Sequence, residues 1–332
     1  MRVTIRDVAG RAGVSVSTAS RALSGARPVA PELTARVTAA ARALGYRQNR
    51  LASALRTQRT GTVGMVVPQI SNPFFPALVE AIERGLSGSG RQLLLGDARR
   101  DPEVEAARLE ALADRQVDGL IVAPVSAVAS APALRAIAAE IPVVQVDRYV
   151  TDAALDWVGV DDAAGMRLLA EHLADVGART AVLVSAGPDS STGHARLAGF
   201  GPAAARHGLA TAEPLLGEYG VDWGLRAAGL LRARGPLPDA VVCGNDEIAL
   251  GVVRGLSTAG VRVPDDVLVT GFDDAGFAAL ADPAITTVRQ PHALIADECV
   301  RLLDLARAGG EHAPRRTALA PTLVVRASTR RA

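Results

Sequence analysis

Lysine is absent from this 332-residue chain, so all 36 basic residues are arginines. Cysteine is scarce: Cys243 and Cys299 are too few for a disulfide framework or a multi-cysteine metal site. No apolar run approaches the roughly 18–20 residues that cross a bilayer, and no apolar secretion segment opens the sequence. With 49% hydrophobic and 21% charged residues, a sizeable core can be buried. We therefore expect a cytoplasmic, globular chain that makes no membrane contact.

The usual signatures of catalysis are also missing. A phosphate-binding loop of the GxxxxGK[ST] type needs a lysine, and the glycine cluster GLSGSG ends a predicted helix instead of joining a strand to one. Neither a nucleophile elbow nor a metal-ligand spacing surrounds the candidate serines and histidines, and the histidines are expected at the surface. These residues are Ser185, Ser190, Ser191, His172, His194, His207, His292 and His312. We expect no enzyme, no metal and no cofactor.

Charge is distributed unevenly along the chain. Residues 1–60 carry 11 arginines against two acidic residues, a net charge of +9, whereas the remainder carries 25 arginines against 33 acidic residues, a net charge of −8. A run of charge alone is usually a solvated face. A compact basic head on a mildly acidic body nevertheless predicts a polyanion-binding module attached to a second part.

Three short helices are predicted in the basic head. Thr4 and Asp7 form a capping box before the first helix, which ends at Gly13. Ser15 caps a second helix with the sequence VSTASRAL, and Pro31 begins a third. Two helices joined by a short turn and braced by a third form a helix-turn-helix.

The second helix has side chains suited to reading DNA. Val16, Ser17 and Arg21 share one face, where arginine can bond guanine, serine several bases, and valine a thymine methyl group. Thr18 and Ser20 are better placed for phosphate oxygens near the helix N-terminus. The alternative, a set of ordinary exposed helix residues, fits the charge less well. The DNA-binding residues predicted here are Ser15, Val16, Ser17, Thr18, Ser20 and Arg21.

The run IRDVAGRAGVSVSTASRAL resembles the DNA-binding motif of the LacI/GalR family of bacterial transcriptional regulators. The segment GYRQNRLASALRTQRTGTVGMVVPQISNPFF is similar to that family's hinge and the start of its sugar-binding part. Further matches follow in family order: IPVVQVDR, VGVDDAAG, RLAGF, CGNDEIALG, VPDDVLVTGFDD, ITTVRQP and TLVVRAST. The resemblance covers essentially the full chain. One departure is Ala30, where the family carries a Ser or Thr cap whose loss costs about 1 kcal/mol.

Residues 49–56 are a candidate fourth helix, too short to be stable alone. The resemblance implies that this hinge orders when two subunits pair on operator DNA, and that Leu55 wedges between base pairs in the minor groove. Asn49, Ala52 and Leu55 are therefore predicted to contact DNA. The alternative is a plain linker with a stray leucine.

From residue 61 onward, short apolar runs alternate with amphipathic stretches. The runs that predict buried strands are TVGMVV, RQLLLG, GLIVAP, PVVQV, WVGV, TAVLVS, DAVVCG, VLVTG and ITTV. Buried strands separated by helices predict parallel sheets covered on both faces, here two doubly wound α/β lobes. The resemblance adds likeness to periplasmic sugar-binding proteins and three crossings between the lobes.

The expected domain organisation follows from these crossings, near residues 161, 289 and 321. Residues 1–48 form the helix-turn-helix head, 49–60 the hinge helix and linker, and 61–332 the effector-binding domain. Its first lobe comprises residues 61–160 and 290–320, and its second lobe comprises residues 161–289 and 321–332.

Ligands of open α/β sheets bind at the carboxyl ends of strands, where the two lobes are expected to face each other across a cleft. Polar side chains at those ends can pair with sugar hydroxyl groups, and aromatic rings can stack on a sugar. The predicted effector-binding residues are Asn72, Phe74, Asp147, Arg148, Arg196, Tyr219, Asn245, Asp273 and Gln290. The resemblance places counterparts of Asp147, Arg196, Asn245, Asp273, Gln290 and the aromatics in the family's effector pocket. Alternatively, Asn245 and Asp273 cap the elements that follow them.

Two functional hypotheses remain. The favoured one is a sequence-specific DNA-binding transcriptional regulator, a repressor whose operator affinity is controlled by a small sugar-like effector. The alternative is a sugar-binding receptor or transport component with an incidental basic N-terminus. That alternative predicts an export signal and no base-reading helix, and the sequence has the reverse.

Assembly follows from the expected operator. A palindromic operator needs two heads roughly 34–36 Å apart, which a homodimer supplies. Some family members add a leucine heptad that joins two dimers, and none follows the final run TLVVRASTRRA. A homodimer held by the effector-binding lobes is therefore expected.

Overall fold

The computed structural model describes residues 3–24, 29–46, 60–151, 153–309 and 313–331, and it divides into two compact units after residue 60. The N-terminal unit contains three helices: α1 Ile5–Ala12, α2 Val16–Ser24 and α3 Pro31–Ala43. Small apolar side chains form its core, namely Val8, Ala9, Ala12, Ala19, Val37, Ala40 and Ala41. The predicted helix-turn-helix is confirmed.

Local hydrogen bonds set the ends of these helices. The Asp7 carboxylate accepts from the Thr4 backbone N–H at 2.8 Å, as a capping box requires, and also from the Thr4 hydroxyl at 2.8 Å. Gly13 ends α1 in the left-handed conformation with φ of 61°. The Arg36 guanidinium donates to the Ala12 carbonyl at 2.6 Å and so ties α3 to the end of α1. Ala30 precedes α3 without a side-chain cap. The candidate hinge helix at residues 49–56 lies outside the described residues.

The second unit begins with a six-stranded parallel sheet. Its strands are β1 Thr62–Val67, β2 Gln92–Asp97, β3 Leu120–Val122, β4 Val143–Val146, β5 Asp156–Val160 and β12 Arg316–Leu319. They lie in the order β12-β5-β4-β3-β1-β2. One face packs on α4 Phe74–Ser87 and α11 His292–Ala308. The other face packs on α5 Pro102–Asp114 and α6 Ala131–Ala138.

The second sheet is also parallel and also covered on both faces. Its strands are β6 Thr180–Ala186, β7 Ala210–Thr211, β8 Leu215–Gly217, β9 Ala240–Cys243 and β10 Leu268–Thr270. The order is β10-β9-β6-β7, with β8 paired to β6. Helices α7 Asp162–Asp175 and α8 Ser191–Arg206 cover one face. Helices α9 Val221–Ala233 and α10 Asp246–Thr258 cover the other. Two doubly wound parallel-sheet lobes, as predicted, are confirmed.

Two short strands join the lobes. Strand β11 Thr287–Arg289 leads from the second sheet to α11, and β13 Thr322–Val324 leads back from β12. The two strands pair antiparallel, with Val288 opposite Leu323. Within the described residues, the chain therefore crosses between the two sheets three times: from β5 to α7, from β11 to α11, and from β12 to β13.

Two strand predictions need correction. The run RQLLLG was expected to be buried, but β2 is the edge strand of its sheet, with Leu94 38% and Leu95 43% exposed. An edge strand has a neighbour on one side only, so apolar composition alone does not ensure burial. The run ITTV contributes β11, which pairs with β13 and belongs to neither large sheet.

The structure shows the burial and the hydrogen bonding of the cysteines and of four histidines. Cys243 and Cys299 are buried, unbonded, and in the cores of different lobes. His194 is exposed as expected, whereas His172, His207 and His292 are half-buried, and His172 Nε2 lies 2.8 Å from the Thr329 hydroxyl. His312 lies outside the described residues. Among the residues that the structure describes, no helix is long and apolar enough to span a membrane, and no cluster of three potential metal ligands occurs.

Candidate DNA-binding helix and ligand cleft

Helix α2 presents the side chains that were predicted to read bases. Val16 is 43% exposed, and Ser17 and Arg21 are exposed beside it, whereas Ala19 is fully buried in the head core. The Arg21 Nε donates to the Ser17 carbonyl at 3.2 Å, one helical turn away. The three outward residues therefore form one surface that can meet base edges in a major groove.

The start of α2 is fixed by serine and threonine hydroxyl groups. Ser15 Oγ accepts from the Thr18 backbone N–H at 3.1 Å and lies 2.8 Å from the hydroxyls of Ser17 and Thr18. Ser15 thus caps the helix, and Thr18 and Ser20 are half-buried beside it. The remaining predicted DNA contacts, Asn49, Ala52 and Leu55, lie outside the described residues.

The predicted cleft residues follow the carboxyl ends of the parallel strands. Asn72 follows β1, Asp147 and Arg148 follow β4, Asn245 follows β9, and Asp273 follows β10. The remaining predicted residues lie on α4, on α8, after β8 and after β11; they are Phe74, Arg196, Tyr219 and Gln290. All except Gln290 line one inner chamber between the lobes. Gln290 donates from Nε2 to Asp273 Oδ1 at 2.8 Å, directly behind that chamber.

A buried arginine holds this chamber together. Arg196 Nε donates to Asp162 Oδ1 at 2.7 Å, Nη1 donates to the Gly244 carbonyl at 2.6 Å, and Nη2 lies 3.5 Å from Asp273 Oδ1. Its guanidinium carbon lies 3.7 Å from the centroid of the Phe272 ring. Burial opposes the charge, but the surrounding carboxylates, Asp162 foremost, raise the pKa of Arg196. The guanidinium N–H groups of Arg196 are thus held by three parts of the second lobe: the start of α7, the loop after β9 and the loop after β10.

The carboxylates around Arg196 are unusually hard to ionise. Burial raises the pKa of Asp147 to about 7 and that of Asp273 to about 6, although nearby arginines oppose the shift. Both residues have a left-handed backbone, with φ of 59° at Asp147 and 104° at Asp273. Such dihedrals are uncommon for residues other than glycine and cluster at functional sites. Buried carboxyls whose pKa values are raised towards neutrality are typical of functional sites.

Two of the predicted residues also have capping roles. Asn245 Oδ1 accepts from the Ile248 backbone N–H at 2.9 Å and caps α10, and Asn72 Oδ1 accepts from the Phe74 N–H at 3.0 Å. The alternative role considered for Asn245, capping the helix that follows it, is therefore confirmed for its side-chain oxygen. Both side chains nevertheless line the inner chamber, so capping and ligand contact do not exclude each other.

Sequence reasoning missed two chamber residues and two neighbours of Arg196. Phe75 and Thr192 line the inner chamber, Asp162 binds Arg196, and Phe272 stacks on it. The adjacent acids in VGVDDAAG were a signal for Asp162, because the first acid, Asp161, caps α7 through its hydrogen bond from the Ala164 N–H at 2.8 Å. The second acid, Asp162, does not cap the helix; its side chain is buried and accepts from Arg196.

A helix-turn-helix head joined to two doubly wound lobes with a polar cleft defines the class of ligand-responsive DNA-binding transcriptional regulators. Family comparison agrees: residues 4–49 match the bacterial regulatory proteins of the lacI family, and residues 170–329 match the periplasmic binding protein-like domain. The HTH-type transcriptional regulator DegA of Bacillus subtilis (strain 168) is 33% identical over 99% of this chain and 98% of its own length. The ribose operon repressor of Escherichia coli (strain K12) is 32% identical over 87% of this chain and 88% of its own length.

Solved structures agree as well. The Lac repressor dimer bound to operator and the anti-inducer ONPF is 27% identical, with a TM-score of 0.86 and 99% of both chains covered. The transcriptional regulator CelR in complex with cellobiose is 32% identical, with a TM-score of 0.74 over 98% of this chain and 100% of that one. The chain belongs to the lacI family of bacterial regulatory proteins, which confirms the resemblance inferred from the sequence.

Proposed function

We propose that this regulator is a repressor whose affinity for operator DNA is set by a small sugar-like effector bound between its lobes. The observation that carries the proposal is the inner chamber, where eight of the nine predicted effector residues meet. Its carboxylates, amides and guanidinium groups suit the many hydroxyl groups of a sugar, each of which needs a partner once buried.

The effector class is supported by the relatives. The structure of CelR holds cellobiose, and another relative is named for the ribose operon. The charge around the chamber suits such neutral ligands, because Asp147, Asp162 and Asp273 offset the positive charges of Arg148 and Arg196. In this proposal the protein works without a cofactor or a catalytic step, and it acts in the cytoplasm, where its DNA target lies.

The DNA side of the proposal assigns residues 1–48 to the DNA-binding head and 49–60 to the hinge. Val16, Ser17 and Arg21 contact bases, Ser15, Thr18 and Ser20 position the helix, and Asn49, Ala52 and Leu55 contact the minor groove. Residues 61–332 bind the effector, with lobes of 61–160 plus 290–320 and 161–289 plus 321–332. In this division, the lobe boundaries near residues 161, 289 and 321 are the points where the chain passes from one lobe to the other.

The assembly proposed is a homodimer on a palindromic operator. Two heads related by a twofold axis match two half-sites about one helical turn apart. The Lac repressor structure, which superposes over nearly the whole chain, is a dimer on operator DNA. Closure of the lobes around the effector then changes the spacing of the two heads and so the operator affinity.

A thermal-shift screen of the full chain tests the effector assignment. A ligand that binds only the folded state raises the melting temperature by mass action. We expect at least one of ribose, glucose, galactose, xylose, maltose and cellobiose to do so, and Asp273→Asn to remove the shift. The control Asp265→Asn changes an exposed carboxylate paired with Arg262 at 3.2 Å and keeps the shift. An Asp273→Asn variant that responds like the parent protein contradicts the assignment.

A further inference from the structure

One arginine at the rim of the ligand cleft forms hydrogen bonds with both lobes. Arg100 follows β2 in the first lobe, and its Nε donates to Gln69 of the same lobe. Its Nη1 donates to Glu218 Oε2 at 2.6 Å, and its Nη2 donates to the Tyr219 carbonyl at 2.5 Å, both in the second lobe. We call these contacts the Arg100 bridge. An exposed ion pair contributes little by itself, but here all three guanidinium nitrogens donate at once.

The first lobe fixes the loop that carries Arg100. Arg99 and Arg100 have a left-handed backbone, with φ of 54° and 61°. Asp97 Oδ1 accepts from the Arg99 N–H at 3.1 Å, and the Pro68 carbonyl accepts from the Arg100 N–H at 2.7 Å. Ordering the side chains usually cancels much of the gain from an exposed ion pair. Because the backbone and Gln69 already hold Arg100, less of that cost falls on the bridge.

The bridge lies far from the crossings between the lobes. In the first sheet, β5 and β12 lead to crossings at one edge, and β2 is the opposite edge strand. In the second sheet, β10 leads to a crossing, and β8, which precedes Glu218, lies on the far side of β6. At roughly 4.8 Å per strand, β2 lies about 24 Å from β12. A rotation of about 10° about the crossings then moves Arg100 by about 4 Å, which breaks its hydrogen bonds.

Two backbone amides of the first lobe also donate to the second lobe. The Ala127 N–H, after β3, donates to the Asp189 carbonyl at 2.8 Å. The Tyr149 N–H, after β4, donates to Ser191 Oγ at 2.9 Å. An amide whose acceptor lies on the other lobe loses that acceptor when the lobes part, and it then exchanges its hydrogen with solvent. These two amides therefore report on contact between the lobes.

We propose that the Arg100 bridge holds the two lobes together before any effector binds, and that it sets the operator affinity of the protein in that state. A contact made in only one of two lobe positions shifts the balance between them by its own free energy. The effect on DNA rests on the proposed function, in which lobe position controls operator affinity. The effect on the contact between the lobes does not depend on it.

Hydrogen exchange of the full chain without sugar, measured by mass spectrometry of short peptides, tests the bridge. Arg100→Glu and Glu218→Arg each place two like charges opposite one another. Each is expected to raise the exchange rates of the Ala127 and Tyr149 amides at least tenfold. Combining the two substitutions restores an ion pair with reversed charges, and we expect both rates to return to within threefold of those of the parent.

Arg84 and Glu80 provide matched controls. Their ion pair is also 2.6 Å long and exposed, but both residues lie on α4 of one lobe. Arg84→Glu and Glu80→Arg repeat the two charge changes without touching a contact between lobes, so the exchange rates are expected to stay unchanged. Parent-like rates in both Arg100→Glu and Glu218→Arg, or a double variant that exchanges as fast as the single ones, overturn the inference.

Operator titrations of the same variants without sugar test the effect on DNA. We expect Arg100→Glu and Glu218→Arg each to change the operator affinity at least threefold relative to its matched control, and the double variant to restore it. Faster amide exchange with unchanged operator affinity overturns this part of the inference. A failure of the proposed function looks different, because the protein then responds to no sugar while the exchange rates still follow the charge at residues 100 and 218.

Discussion

At the residue scale, Asp147 and Asp273 combine two costs that a stable fold normally avoids. Each carboxyl is buried, and each has a left-handed backbone. The nearby arginines compensate only in part, because burial still raises the pKa of both residues towards neutrality. Residues held at such a cost are expected to act on a ligand, which here means hydrogen bonds to a buried sugar.

The stability cost of Asp147 depends on pH. Its pKa is about 7 in the folded chain and near 3.8 in the unfolded chain, so the folded state binds more protons between these values. Stability is therefore lost as pH rises from about 4 to 7. The amide in the Asp147→Asn variant cannot ionise, so this variant avoids the loss. As pH rises over this range, we expect its free energy of unfolding to increase relative to that of the parent by up to about 4 kcal/mol. Urea unfolding at pH 4 and pH 8 measures this gain, and a difference between the two proteins that is the same at both pH values contradicts the prediction.

Arg21 supplies a residue-scale prediction for the head. A bidentate contact between arginine and guanine contributes roughly 1–3 kcal/mol of discrimination. Arg21→Ala is therefore expected to weaken operator binding by that amount and binding to random DNA far less. Exposed Arg42 on α3 provides a matched control, since Arg42→Ala removes the same charge away from the reading face. Equal losses on operator and random DNA in Arg21→Ala remove this residue from base recognition.

At the element scale, the two crossover strands are anchored to the loop that carries Asp273. The next residue, Asp274, accepts from Arg289 at the end of β11 at 2.6 Å and from Arg326 beyond β13 at 2.5 Å. Asp273 N–H in turn donates to the Val288 carbonyl at 2.8 Å. The loop that carries Asp273 and both strands between the lobes are thus held together by hydrogen bonds. In the proposed function, a ligand that contacts Asp273 is expected to act on the lobes through these strands.

Loss of that anchor is expected to be destabilising. Burial opposes ionisation of Asp274, but hydrogen bonds from Arg326 and Arg289 outweigh it and lower its pKa. Its contribution is present above the unfolded pKa near 3.8 and is lost as pH falls through the lower folded value. Asp274→Asn should cost about 1–3 kcal/mol at pH 7. Chemical denaturation checks this, with exposed Asp265→Asn expected to change stability by less than about 0.5 kcal/mol. A similar decrease in the free energy of unfolding for Asp274→Asn and Asp265→Asn would show that Asp274 does not stabilise the two strands.

Element by element, the sequence was informative where periodicity and capping act locally. Thr4, Asp7, Gly13 and Pro31 marked the head helices because caps and turns depend on a few adjacent residues. The exposure of β2 and the pairing of β11 with β13 depend on distant neighbours, which composition does not reveal. The same holds for the contact of Asp162 with Arg196, 34 residues away.

At the scale of the whole molecule, the proposed function needs two copies of the chain. A palindromic operator has two half-sites, and each half-site takes one head. Sedimentation at micromolar concentration is expected to give a dimer. A stable tetramer, or a monomer that binds operator with full affinity, contradicts the proposed assembly.

In the proposed function, a sugar in the cleft changes the affinity of the protein for operator DNA. The most direct measurement is fluorescence anisotropy of a palindromic duplex, selected from a random pool by the full chain, titrated with protein in the presence and absence of cellobiose, maltose, lactose or ribose. We expect tight, salt-sensitive binding whose affinity at least one of these sugars changes tenfold or more. We expect Asp273→Asn to lose this response while it keeps its affinity for DNA. Operator affinity that no sugar alters, or a response that persists in Asp273→Asn, contradicts the proposed function.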